Sequence, residues 1–186
     1  VDWEPIDTYI VRAADVRKVR PASSKDSLEQ KDKMLAGEAV QFLTQQNPHA
    51  VFVYFGQVDE VGHRDGFHPS VPSYLQALHT VDAHVASLVK AIQSRPEYLA
   101  ENWLVVISTD HGGRGRKHRG GHDVPEIVTT FLVVSGKDSM RGEIEEPSYI
   151  VDVPVIALTH LGVPIEGAWQ LDGKAVGIRQ EFRNDQ

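Results

Sequence analysis

Ala50-Val51-Phe52-Val53-Tyr54-Phe55 is a continuous apolar run, rich in β-branched and aromatic side chains. A run of this kind suits a strand buried on both faces, as in a parallel sheet covered by helices. Trp103–Ser108 and Thr130–Ser135 have the same character. Stretches of helical period lie around these runs. Ser27-Leu28-Glu29-Gln30 has the capping-box pattern, and Leu28, Leu35, Ala39, Phe42 and Leu43 recur at helical spacing until Asn47-Pro48. Tyr74, Leu78, Val81, Val85, Leu88 and Ile92 mark a longer amphipathic helix that ends near Arg95-Pro96. Asp152-Val153-Pro154 reads as an N-cap and helix start, with Gly162 as the stop. This alternation predicts an α/β fold with a largely parallel sheet flanked by helices. The expectation is one domain over residues 1–186, with an irregular lead-in over 1–26 and a core over 27–175. Within the lead-in, Tyr9-Ile10-Val11 reads as a short strand.

Composition narrows the functional classes. With 41% hydrophobic and 24% charged residues, the 186-residue chain has the make-up of a soluble globular domain. Its net charge of -7 argues against a general nucleic-acid or anionic-membrane binder. No apolar stretch approaches the ~20 residues needed to span a bilayer. There is no signal-peptide pattern, and residue 1 is Val, so the chain reads as processed or partial. The absence of Cys excludes disulfides, thiolate metal sites and a cysteine nucleophile within these residues.

Polar, Gly-rich segments follow the first two apolar runs, where open α/β sheets gather their functional groups. Gly56 to Pro69 reads as a loop and holds Asp59-Glu60-Val61-Gly62-His63. A carboxylate and an imidazole four residues apart can close on one ion. The second segment, Asp110 to His122, opens with Asp110-His111-Gly112-Gly113 and carries His118 and His122 further on. Taken alone, the first pair reads more readily as a capped loop with a solvated imidazole, and in the second Asp110 reads equally well as the cap of a turn. Two pairs, each just past an apolar run, are hard to explain as stabilising devices, because burying so many polar groups is costly unless something binds them.

Tyr54 through Phe67, containing Asp59-Glu60-Val61-Gly62-His63-Arg64-Asp65-Gly66, resembles the D-x-x-G-H-x-x-G element of the alkaline-phosphatase superfamily. It looks closest to the nucleotide pyrophosphatase/phosphodiesterase branch. Ser108-Thr109-Asp110-His111-Gly112-Gly113, with His118 eight residues after Asp110, is similar to that branch's second metal element. Val151-Asp152-Val153-Pro154 through Val163-Pro164 resembles its last helix, and Leu171-Asp172-Gly173 its closing strand region. The resemblance spans roughly residues 50–175. It implies two divalent ions, zinc or similar, about 4 Å apart. Asp59, His63 and His118 would hold one ion, and Asp110 and His111 would contribute to the other. Arg119 interrupts the usual His-Gly-Gly, so His122 stays open as the alternative third imidazole, while spacing favours His118.

The resemblance further implies a phosphate-ester hydrolase, an anionic small-molecule substrate and an exported or periplasmic enzyme. A sulfatase or phosphonate hydrolase of the same superfamily is the alternative, and a non-catalytic metal-binding fragment is the alternative of another class. In the family a Thr or Ser nucleophile and a further Asp ligand lie well upstream of the matched region. Asp2, Asp7, Thr8, Asp15 and Ser23 are not in the expected setting and receive no role, so the first half of the enzyme is expected to lie outside this chain. Ser108 and Thr109 are expected as hydrogen-bond partners of the imidazoles. Arg114, Arg116, Lys117 and Arg119 read as a solvated basic segment that could also attract an anion. His68 is expected at the surface. Asp82 is expected on the inward stripe of its helix.

Overall fold

The computed structural model describes residues 4–20 and 25–179, so Asp2 and Ser23 lie outside the described residues. The chain divides into two compact units: residues 1–96 with 113–117, and residues 97–112 with 118–186.

The first unit is helical. Residues expected as a strand near Tyr9 instead form one wide helical turn, Ile6–Ile10, with Ile6 as its buried side chain. Helix α1 spans Leu28–Gln45 and starts as its sequence predicts. Ser27 Oγ accepts from the Gln30 N–H at 3.2 Å, and Gln30 Oε1 accepts from the Ser27 N–H at 3.0 Å. Helices α2, Gln57–Asp65, and α3, Pro72–Gln93, follow, and α1 and α2 both pack on α3. Leu35, Ala36, Leu43, Val61, Ala77, Ala91 and Ile92 are buried in this unit. Arg95 ties off the end of α1, donating to the Gln46 carbonyl at 2.8 Å and to Asn47 Oδ1 at 2.7 Å. A guanidinium is well placed there, because the last carbonyls of a helix lack internal partners.

The second unit holds the sheet. Strand β1, Leu104–Ser108, pairs antiparallel with β2, Leu132–Gly136, in a register that sets Leu104 against Gly136 and Ser108 against Leu132. A short helix α4, Pro125–Val128, lies between the strands, and α5, Asp152–His160, packs on β1. Ile156, Val176 and Ile178 form the core, with Leu104, Val106, Leu132, Val134 and Ile144 around them. Gly162 follows α5 and returns its N–H to the Thr159 carbonyl at 3.0 Å. The helix cap is Val151 rather than Asp152. Asp152 is buried as the first helical residue and accepts from the N–H groups of Tyr149 and Lys174, each at 2.7 Å.

This architecture corrects the expected fold class. The described residues are mainly helical, with one two-stranded antiparallel sheet in place of a parallel sheet flanked by helices. Two of the three apolar runs are the strands β1 and β2. The third, 50–55, forms no strand, and Val51 and Phe52 are 39% and 56% exposed. A strand exists only where a neighbour takes up its backbone groups, and an apolar run does not encode that neighbour.

Candidate metal centre

Within the segment Gly56 to Pro69, expected as a loop, Gln57–Asp65 is the site helix α2. The carboxylate of Asp32, on α1 and fully buried, accepts from the N–H of Gly56 at 3.1 Å and of Gln57 at 2.9 Å. Those N–H groups open α2 and would otherwise lack acceptors, so a buried carboxylate from a neighbouring helix starts α2 where its own sequence carries no side-chain cap. Gly66, at φ +128°, ends it and returns its N–H to the Gly62 carbonyl at 2.9 Å. A non-glycine residue would be strained in that conformation.

Helical geometry then puts Asp59 and His63 one turn apart on the same face, with Asp59 Oδ2 and His63 Nε2 separated by 3.5 Å. The other ring nitrogen, Nδ1, is 3.0 Å from the Arg116 carbonyl oxygen. A carbonyl can only accept, so Nδ1 carries the proton and donates, and Nε2 keeps its lone pair for a metal. Arg116 lies in a tight turn in which Arg114 and Lys117 exchange backbone hydrogen bonds at 2.9 and 3.2 Å. The Phe67 N–H pins the same turn through the Gly115 carbonyl at 2.7 Å. His118 is joined to Lys117 by one peptide bond. Within the first unit, then, Asp59 and His63 offer a carboxylate oxygen and an imidazole nitrogen that can close on one ion. An imidazole and a carboxylate so placed are a donor pair for a divalent ion.

Asp110 and His111 follow β1 in the second unit. The His111 N–H donates to Asp110 Oδ1 at 3.1 Å, and His111 Nε2 lies 3.7 Å from Asp110 Oδ2. His111 Nδ1 is 2.8 Å from the Gly112 carbonyl, again leaving Nε2 as the free ligand atom. Its ring stacks on that of His118, with centroids 4.1 Å apart. Gly112 donates its N–H to the Ile127 carbonyl at 2.8 Å, and a Cβ there would collide with the Glu126 carbonyl. His118 is half-buried, whereas His122 is exposed in the turn Gly121–Asp123.

Both orienting partners are main-chain carbonyls, of Arg116 and Gly112. Ser108, expected in that role, instead donates to the Phe131 carbonyl at 2.8 Å. Sequence reasoning also missed Asp32, whose only signal is an acid inside an apolar helix pattern, and Phe67, whose ring meets His63 edge-on with centroids 5.3 Å apart. Arg114, Arg116, Lys117 and Arg119 are exposed. His68 is exposed and turned to Ser70 Oγ at 2.7 Å. Asp82 is exposed rather than inward-facing.

The charges beside the site are visible in its neighbours. Burial, and then the negative charge of Asp59, hold the Tyr74 phenol protonated above its usual range. Hydrogen bonds from Arg64 and then Ser73 hold Asp65 below the usual carboxylate value, with Arg116 adding to the effect and desolvation opposing it. No helix among the described residues is long and apolar enough to cross a membrane.

No curated protein matches the chain, and neither does any solved structure. A family match covers residues 4–140, well over half the chain and including α2 and the segment after β1, which carry the candidate ligands. It reaches further toward the N-terminus than the motifs alone do. On this match the chain belongs to the Type I phosphodiesterase / nucleotide pyrophosphatase family.

Proposed function

We propose that this chain is the metal-binding part of a two-metal hydrolase of phosphate esters, of the phosphodiesterase or nucleotide pyrophosphatase type. The observation that carries the reading is the Asp59/His63 pair, one turn apart on α2 with His63 Nδ1 held by the Arg116 carbonyl, in a chain of this family. In this proposal Asp59, His63 and His118 hold one divalent ion, and Asp110 and His111 contribute to a second, with zinc the favoured metal for this O and N donor set. Bound divalent ions supply Lewis acidity, lowering the pKa of a hydroxyl and neutralising charge on the transferred group's oxygens. The chain's own residues do the orienting. The Arg116 and Gly112 carbonyls fix the protonated Nδ1 of His63 and His111, so that each presents Nε2. The Thr or Ser nucleophile and the remaining carboxylate ligand are proposed to come from upstream of this chain. The substrate is an anionic phosphate ester, and family resemblance favours an exported or periplasmic enzyme.

The test compares this chain and the longest product of its gene on bis-p-nitrophenyl phosphate, p-nitrophenyl phosphate and p-nitrophenyl sulfate. The expected result is turnover of the phosphodiester that chelation abolishes and added zinc restores. Cleavage of the sulfate ester alone would make the protein a sulfatase. Zinc binding without turnover in either form would make it a non-catalytic metal-binding module.

A further inference from the structure

Two glycines of the metal motifs, Gly62 and Gly113, lie 51 positions apart and share one neighbour. A Cβ on Gly62 would lie 2.6 Å from Phe67 Cζ, and one on Gly113 would lie 2.7 Å from Phe67 Cδ2. Real carbon contacts do not come this close, so the single aromatic ring fills the space that both missing side chains would need. Neither glycine has a positive φ. The close approach of the ring, rather than backbone conformation, is what requires them.

The same residue makes three further contacts. Its N–H donates to the Gly115 carbonyl at 2.7 Å. Its ring meets His63 at 5.3 Å and 83°, and Tyr74 of α3 at 5.8 Å and 66°. Edge-to-face contacts of this kind are directional and favourable. Phe67 therefore touches α2, α3 and the 113–117 turn at once. The turn carries the Arg116 carbonyl that holds His63 Nδ1, so a shift of the turn against α2 would rotate the imidazole.

We propose that Phe67 is a positioning residue: a wedge that sets the register of the 113–117 turn on α2 and thereby aims His63 Nε2. The consequence for metal binding rests on the reading of Asp59, His63 and His118 as ligands. The steric relationship does not.

The experiment uses the full chain and two readouts. Phe67→Ala should weaken Co²⁺ binding by about 10- to 100-fold, the range for loss of an outer partner of a metal ligand, and should alter the visible absorption of the bound cobalt. Phe67→Leu should restore part of both. Independently, Gly62→Ala should lower Tm by several degrees beside Phe67. In the Phe67→Ala background the same change should raise Tm or leave it unchanged, because a helix interior otherwise favours Ala over Gly. If Phe67→Ala does not fold, Phe67→Leu takes its place in both comparisons. An equal Tm loss from Gly62→Ala in both backgrounds would overturn the wedge. Unchanged cobalt affinity and spectrum in the Phe67 variants would overturn its effect on His63. Absence of cobalt binding by the unaltered chain would instead overturn the metal reading, and the Tm comparison would still decide the wedge.

Discussion

Asp32 Oδ2 accepts the backbone N–H of Gln57 at 2.9 Å, across 25 positions of sequence, and joins the buried face of α1 to the first residue of the site helix. With Gly56 on its other oxygen, this carboxylate is the structural origin of α2. The position of Asp59 and His63 depends on it, because both are counted from that helix start.

Asp32→Ala should therefore destabilise the chain by about 2–4 kcal/mol, since two backbone donors lose a charged acceptor, each worth roughly 1–3 kcal/mol. Chemical denaturation would measure this. A loss below about 0.5 kcal/mol would show that water or another group takes over the cap.

Removing a ligand should act on metal uptake before it acts on stability. His63→Ala and Asp59→Ala should each weaken zinc binding by more than the ~10–100-fold typical of an outer partner. His118→Ala should weaken it more than His122→Ala, because His118 is half-buried and stacked on His111 whereas His122 is exposed. Competition with a chromogenic chelator reads all four variants. A larger effect at His122 would exchange the two imidazoles.

His84 gives the first unit a pH dependence. Burial and then the nearby Lys33 hold its imidazole below the ordinary value of 6.5, against a smaller opposing effect of Glu29. Its Nε2 is buried without a hydrogen-bond partner among the described residues, and its ring lies 5.6 Å from that of Phe55. The folded state thus prefers the neutral form. Stability from this source is fully present above pH 6.5 and is lost as pH falls through the depressed folded value. His84→Phe should flatten the stability profile between neutral pH and about pH 5. An unchanged slope would place the acid sensitivity elsewhere.

In the second unit the buried carboxylate of Asp138 accepts from Asn102 Nδ2 at 2.7 Å and from His160 Nδ1 at 3.1 Å. His160 Nε2 in turn faces the Asn102 carbonyl at 2.9 Å. This network closes the end of α5. Asp138→Ala should cost about 1–3 kcal/mol, because it removes a buried charged acceptor from the part-buried donors Asn102 Nδ2 and His160 Nδ1. The loss should leave zinc affinity almost unchanged when measured under fully folded conditions, which separates it from the ligand variants.

Much of the local structure was legible in the residues alone. Ser27 and Gln30 cap α1 by contacts three positions apart, and the apolar stripes of α1 and α3 follow one-turn periodicity. The Asp59/His63 pair and the His118 spacing likewise marked the candidate ligands. All of these are short-range properties, set by the repeat of the helix and by neighbouring side chains.

Tertiary structure decided what each segment became. Residues 51–55 have strand composition but no strand partner among the described residues, while Leu104–Ser108 found an antiparallel neighbour in Leu132–Gly136. Gln57–Asp65 looks like a loop in sequence and is a helix because Asp32, from a distant turn of α1, supplies the acceptor that its start requires. Backbone donors must be satisfied wherever they are buried, and the partner that satisfies them is chosen by packing rather than by local sequence.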